Sequence, residues 1–208
     1  MKSLTVFFAT ITVSISALIL PTQAEMVCQG TDSTGSTLNV HKLSNGRVDG
    51  KPFTEISESA SEATDPFELM KSECFGQLKL DLTAAQVIEI LGSPKTKGES
   101  NLWGADGLYH QDWYYPQQGI TLNMASEKAQ ERQSVASIKL MSPSTLKTRR
   151  GIGIGDSYTK VMQAYKDEEE RESSISSKSF VAGSIYGGLI FSFENGRVNE
   201  IFLGAAAE

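Results

Sequence analysis

Gly188-Leu189-Ile190-Phe191-Ser192-Phe193-Glu194-Asn195-Gly196-Arg197-Val198-Asn199-Glu200-Ile201-Phe202-Leu203 is the stretch that decides the fold. Alternation at a period of two places Leu189, Phe191 and Phe193 on one face of a strand. Asn195-Gly196 is a hairpin turn signal, because both residues tolerate the positive φ that a two-residue turn demands. The returning strand carries Val198-x-x-Ile201-x-Leu203. An earlier stretch has the same character: Gly119-Ile120-Thr121-Leu122, then Val135-x-x-Ile138-x-Leu140. Internal self-similarity of this kind points to a repeated supersecondary unit.

A helical stretch precedes each copy. Ala84 to Leu91 is bounded by Thr83, a side chain that caps helix N-termini, and by Gly92 with Pro94 just beyond. The second stretch surrounds Val161. Aligning Val87 with Val161 places Leu80 on Ile154 and Thr83 on Ser157, so both caps coincide. Between helix and final hairpin lie Trp113-Tyr114-Tyr115 in the first copy and Phe180 to Tyr186 in the second. Each unit therefore reads as a helix followed by a meander of about three strands. Two units predict an α+β fold: two tandem helix-plus-antiparallel-meander repeats, residues 76–143 and 144–208, with helices on one face of the sheet.

The first 75 residues differ. Lys2 precedes the mostly apolar run Leu4 to Leu20, and Pro21-Thr22-Gln23-Ala24 is a small-residue exit. That is the pattern of a signal peptide, residues 1–24, cleaved after Ala24 and leading to a periplasmic or secreted product. Cys28 is not at the cleavage point, so no lipid anchor and no stable membrane attachment are expected. Losing Lys2 leaves 18 basic against 25 acidic side chains, formally −7, which disfavours nucleic acid and anionic membranes as partners. Residues 25–75 form a small strand-rich segment with an Asn45-Gly46 turn, a Ser57 to Thr64 linker, and a short helix capped by Asp65 and begun at Pro66. Cys28 and Cys74 are the only cysteines, and an even pair in an oxidising compartment is expected to bond. Closing that loop of about 47 residues is worth roughly 4 kcal/mol in the chain-entropy model.

Leu91-Gly92-Ser93-Pro94, Trp113-Tyr114-Tyr115, Gly119 to Leu122 and Val135 to Leu140, matched by Val161, Gly188 to Phe193 and Val198 to Leu203, resemble the β-lactamase-inhibitor-protein-like fold. The same unit occurs in SmpA/OmlA-type envelope lipoproteins. The similarity covers about residues 76 to 205. It implies the repeat architecture and a binding surface, and it carries over no functional residue.

Several motifs invite chemistry. Gly151-Ile152-Gly153-Ile154-Gly155-Asp156-Ser157 is glycine-rich before a helix, as phosphate-cradling loops are, yet it lacks the Lys-Ser/Thr of a nucleotide loop. Its Gly-Asp-Ser resembles the start of a lipase motif, but no histidine follows Ser157 to act as base. The simpler reading is a connection in which Asp156 or Ser157 caps the next helix. His110 with Asp112 has the composition of a base and its orienting carboxylate. Asp167-Glu168-Glu169-Glu170-Arg171-Glu172 reads as a solvated charge run, and no metal or cofactor is expected. Trp103, Tyr109, His110, Trp113, Tyr114 and Tyr115 form the densest aromatic cluster, divided between core packing and a ligand-facing patch.

The function expected is an exported, non-enzymatic binding or inhibitory module of the cell envelope. It would recognise a protein partner through a sheet face holding Trp103, Tyr109, His110, Trp113 and Tyr115. The alternatives are an enzyme acting on envelope glycan or peptide through His110 and Asp112, a structural envelope protein, and a lysozyme-inhibitor role for the N-terminal segment.

Overall fold

The Asn195-Gly196 pair turns the chain in two residues, both at positive φ (52° and 72°), and so joins β7 (Gly187–Glu194) to β8 (Arg197–Gly204). In the computed structural model, which describes residues 67–206, this hairpin belongs to an eight-stranded antiparallel sheet. The other strands are β1 (Thr96–Lys97), β2 (Asn101–Leu102), β3 (Tyr109–Tyr115), β4 (Ile120–Ser126), β5 (Ser134–Met141) and β6 (Ser179–Ser184). Their order across the sheet is β1-β3-β4-β5-β8-β7-β6, with β2 also paired to β3. The protein is thus α+β, with a mostly antiparallel sheet and few helices. The leader, the Asn45-Gly46 turn, the linker, the Asp65 cap and Cys28 lie outside the described residues.

Among the described residues three α-helices accompany the sheet: α1 (Glu68–Ser72), α2 (Ala84–Leu91) and α3 (Tyr158–Tyr165). Helix α2 starts where the sequence predicts. The Thr83 hydroxyl accepts from the Gln86 N–H, and the Gln86 side chain accepts from the Thr83 N–H, a reciprocal capping box. Helix α3 starts with the Ser157 hydroxyl accepting from the Lys160 N–H. Val87 and Val161 are both fully buried. They meet one continuous core, to which the sheet contributes Trp113, Tyr115, Leu122, Ile138, Leu140, Phe180, Leu189, Phe191, Ile201 and Leu203 among others. All these sheet residues project from a single face.

The Val-x-x-Ile-x-Leu spacing breaks strict alternation, and the structure gives the reason. Pairing shifts register between Asn123 and Met124 in the β4–β5 ladder, and between Ser192 and Phe193 in the β7–β8 ladder. Ala136 and Asn199 are the extra residues. Each bulge lets Val135 and Ile138, or Val198 and Ile201, point into the core although three positions separate them. The helix approaches are hydrogen-bonded alike. The Asp81 N–H donates to the Val135 carbonyl and the Val135 N–H to that of Leu82; the Gly155 N–H donates to the Val198 carbonyl and the Val198 N–H to that of Asp156.

The end of α1 is held by a buried carboxylate. Glu73, 2% exposed, accepts through Oε1 from the backbone N–H of Cys74 (3.2 Å) and Arg149 (2.6 Å), and through Oε2 from the Tyr165 hydroxyl (2.9 Å). Burial and the Glu73 charge push the Tyr165 phenol well above its ordinary range. The Arg150 guanidinium covers the Tyr165 ring at 4.6 Å and pairs with Glu168. One side chain thereby joins the helix before the sheet, the connection between the two halves and α3. The buried charge is tolerated because its oxygens are supplied with donors.

Gly119, in the turn just before β4, has φ +65°, and a Cβ there would lie 2.1 Å from the Met141 carbonyl oxygen and 2.6 Å from the Ser144 nitrogen. Gly196 has a similar φ but open space around it. Gly119→Ala is expected to cost about 3 kcal/mol or more, the sum of left-handed strain and overlap with fixed backbone, and Gly196→Ala about 1–2 kcal/mol. Urea midpoints of the two variants check this; equal losses would show that the backbone around Gly119 moves aside.

Candidate functional site

Alternation along β3 sorts the aromatic cluster onto two faces. Gln111, Trp113 and Tyr115 point into the core, whereas His110, Asp112 and Tyr114 point to the other side of the sheet. Trp113 is 1% exposed and Tyr115 3%. The Trp113 indole N–H donates to Gln111 Oε1 (3.1 Å), which also accepts from Gln133 Nε2 (3.1 Å), while the Lys97 ammonium lies 3.8 Å from the ring centroid. The Tyr115 hydroxyl donates to the carbonyl of Gly92 at the end of α2 (3.1 Å), and burial pushes its pKa up to about 12. Trp113 and Tyr115 are therefore core residues as the chain stands, which corrects their expected place on a contact surface. Tyr109 is half-buried at the start of the strand.

The open side carries a connected set of polar groups. His110 Nδ1 lies 2.5 Å from Asn123 Oδ1, and its Nε2 lies 2.9 Å from Asp106 Oδ2. Asn123 Nδ2 donates to Asp112 Oδ1 (2.8 Å), and the Tyr114 hydroxyl donates to Asp112 Oδ2 (3.2 Å). The register explains the convergence, since Asp112 stands opposite Asn123, and His110 opposite Ala125, across β3 and β4. His110 is only 5% exposed because Trp103 stacks flat on it, with ring centroids 3.7 Å apart and planes inclined by 11°. Trp103 lies on the tight 103–108 connection, where the Gly107 N–H returns to the Trp103 carbonyl and the Leu108 N–H donates to Asp106 Oδ1 (2.9 Å). The bond from Leu108, then that from His110, holds the Asp106 carboxyl below its usual range. The Asp112 charge raises the Tyr114 phenol above its own.

Beside this set, at the connection between β4 and β5, a groove of about 520 Å³ is lined by Leu108, Ala125, Glu127, Lys128, Glu131 and Arg132. Ala125 connects the two features through its pairing with His110. Leu102, Trp103 and Tyr114 are the large apolar side chains left exposed along β2 and β3, at 59%, 37% and 38%.

The sequence pointed to His110, Trp103 and Tyr114 as members of one aromatic cluster but missed Asp106 and Asn123 as their associates. Asp106-Gly107 is a turn signal, and Asn123 is the polar member of an apolar strand, so both had a local signal; their convergence on one imidazole depends on strand register. The pairing of His110 with Asp112 is indirect, through Asn123, and both imidazole nitrogens are engaged beneath Trp103. No ring nitrogen is left to take a proton from a substrate in this arrangement. Ser157 spends its hydroxyl on a helix cap, and Asp156 accepts from the Gly153 N–H (2.8 Å) and from Lys160 (2.9 Å), so the glycine-rich connection is closed by its own carboxylate. Within the acidic run, Glu168 binds Arg150 and Glu170 accepts from the Ile185 N–H (3.2 Å). Among the described residues no three acidic, histidine or cysteine side chains converge as metal ligands, and no helix is long and apolar enough to cross a membrane.

Trp113→Ala is expected to destabilise the protein by about 3–5 kcal/mol, the cost of emptying a large buried site. Trp103→Ala should cost about 1 kcal/mol, the loss of one stacked aromatic contact. Chemical unfolding of both variants tests this, and a Trp113→Ala protein as stable as the parent would remove Trp113 from the core. Compared with protein-family models, with curated proteins and with solved structures, the chain has no match.

Proposed function

We propose that this chain is an exported binding module of the cell envelope, without turnover of its own, that holds a protein partner on the open face of the sheet around Trp103 and Tyr114. The observation carrying this reading is the division of labour between the two faces. One is consumed by the core, while the other presents Tyr114, tied into the Asp106–His110–Asn123–Asp112–Tyr114 hydrogen bonds, and Trp103, stacked on the His110 ring. Rigid aromatics with a polar tip lose little conformational freedom on binding, which suits them to anchor an interface. Trp103 and Tyr114 take the place in the proposal that Trp113 and Tyr115 vacate.

The fold reading that accompanies it is a tandem repeat of the β-lactamase-inhibitor-like kind. It is supported by the equivalent bulges in the β4–β5 and β7–β8 ladders, by the matching bonds of Val135 and Val198 to the helix approaches, and by hydroxyl caps at both Thr83 and Ser157. Export, cleavage after Ala24 and a Cys28–Cys74 bond belong to the same proposal. Material recovered from the envelope fraction should begin at Glu25 and weigh two hydrogens less than its reduced form. A chain retaining Met1, or one with two free thiols, would overturn this part.

Affinity capture from native envelope extract, with the exported chain and a Trp103→Ala/Tyr114→Ala variant side by side, tests the main reading. One protein should be enriched by the parent and lost with the variant, while the far-ultraviolet dichroism of the two is the same. Equal capture by both would exclude this face, and conversion of envelope glycan or peptide by the parent would exclude a purely binding role.

A further inference from the structure

We infer that His110 acts as a proton-dependent latch that assembles the open face, so that the surface around Trp103 and Tyr114 is in its ordered form only while the imidazole carries both ring protons. The inference rests on the binding reading above and names the regulation of that same surface.

The protonation state follows from the partners. Asp112 Oδ1 accepts from Asn123 Nδ2, and a carboxylate oxygen facing it leaves the amide one orientation, with Asn123 Oδ1 toward the imidazole. His110 Nδ1 must then donate. On the other side of the ring, Asp106 is held ionised by the Leu108 N–H and His110, so its Oδ2 is an acceptor and Nε2 must donate as well. A neutral imidazole has one N–H and serves only one of these oxygens. Trp103 adds a second preference, because an indole face attracts a cationic ring stacked on it.

The charged side chains of the groove beside the ring, Glu127, Lys128, Glu131 and Arg132, are of mixed sign and make no hydrogen bond to the imidazole. The 103–108 connection contributes Asp106, β3 contributes Asp112 through Asn123, and β2 and β4 face the ring with the uncharged Asn101 and with Asn123 and Ala125. The titratable neighbours on these elements are both carboxylates, Asp106 bonded to the ring directly and Asp112 through Asn123.

Loss of one ring proton has a defined consequence at each nitrogen. At Nε2 it sets a lone pair against the Asp106 carboxylate and frees the 103–108 connection, which carries Trp103 and the groove residue Leu108. At Nδ1 it sets a lone pair against Asn123 Oδ1; the amide must turn over, and its bond to Asp112, which also holds Tyr114, is lost. Either route loosens the face, because one imidazole joins the strand pair to the connection above it.

The test uses the exported chain, isotopically labelled, with no partner present. Nuclear magnetic resonance from about pH 5 to 8, the range in which imidazoles change charge, follows the ring nitrogens of His110, the indole N–H of Trp103 and the exchange of the Trp103, Gly107 and Leu108 amides. After correction for the base catalysis of exchange, those amides should lose about five-fold in protection, one hydrogen bond's worth, in step with the His110 titration. The indole signal should move with them. His110→Gln, uncharged throughout, should abolish the coupling. Asp106→Asn, whose amide can turn to accept or donate, should weaken it, and this variant serves if His110→Gln does not fold. Amides and indole that ignore the His110 titration, or that respond equally in His110→Gln, overturn the latch. Since these readouts need no partner, failure of the capture experiment leaves the latch standing, and failure of the latch leaves the capture result intact. Where both succeed, partner captured at pH 5.5 should be shed several-fold faster at pH 7.5, and pH-independent retention would overturn the regulatory role.

Discussion

The structure depends on the pairing of β5 with β8. Four residue pairs, Ile138 with Leu203, Lys139 with Phe202, Leu140 with Ile201 and Met141 with Glu200, join the meander β3–β4–β5 to the meander β6–β7–β8. Without this ladder each meander would have an unpaired long strand and a hydrophobic face covered by a single eight-residue helix. With it, Ile138 and Leu140 meet Leu203 and Ile201 at the centre of one core, and the sheet edges fall to the short β1 and β2 and to β6, whose outer side is bonded by Glu170 and Ser174. The Lys139–Glu200 contact across the same ladder, at 3.6 Å, is exposed and adds little. Apolar pairing at the junction carries the join. A ladder between strands so distant in sequence bears a large closure entropy, which the burial around it offsets.

That junction leaves a problem at the other side of the core, where the connection from β5 to α3 must be held against α1. Glu73 resolves it with a buried charge. Its carboxylate gathers donors from Cys74, Arg149 and Tyr165, which belong to three separated parts of the chain. Its Oε1 accepts two of these bonds and its Oε2 the third, so both carboxyl oxygens are used. Removing one donor would leave charge uncompensated inside the protein, so the arrangement specifies geometry more than it adds stability. The same logic operates on the open face at lower burial. There Asp106 and Asp112 face water in part, and His110 between them is shielded by Trp103.

Much of the local structure was legible in advance. The hydroxyl caps at Thr83 and Ser157, the stop at Gly92, the Asn195-Gly196 turn and the apolar face of Leu189, Phe191 and Phe193 all follow from short-range rules, because a cap or a two-residue turn is satisfied within a few residues. The bulges at Ala136 and Asn199 were visible only as an irregular Val-x-x-Ile spacing. Their meaning needed the partner strand, against which the extra residue is counted. The site was less legible. Alternation separated Tyr114 from Trp113 and Tyr115 but left open which side was core, since a sheet with aromatics on both faces looks the same from either. Packing of α2 and α3 settled it in favour of Trp113.

The chain's local sequence determined its helices, its turns and the two-sided character of its strands, because those depend on backbone conformation and on periodicity within a single segment. Tertiary structure alone decided that β5 meets β8, that Glu73 finds Tyr165, and that Asp106, Asn123 and Asp112 converge on His110. Each of these contacts joins groups whose proximity is set by strand register and helix docking, and neither quantity is carried by any one stretch of residues.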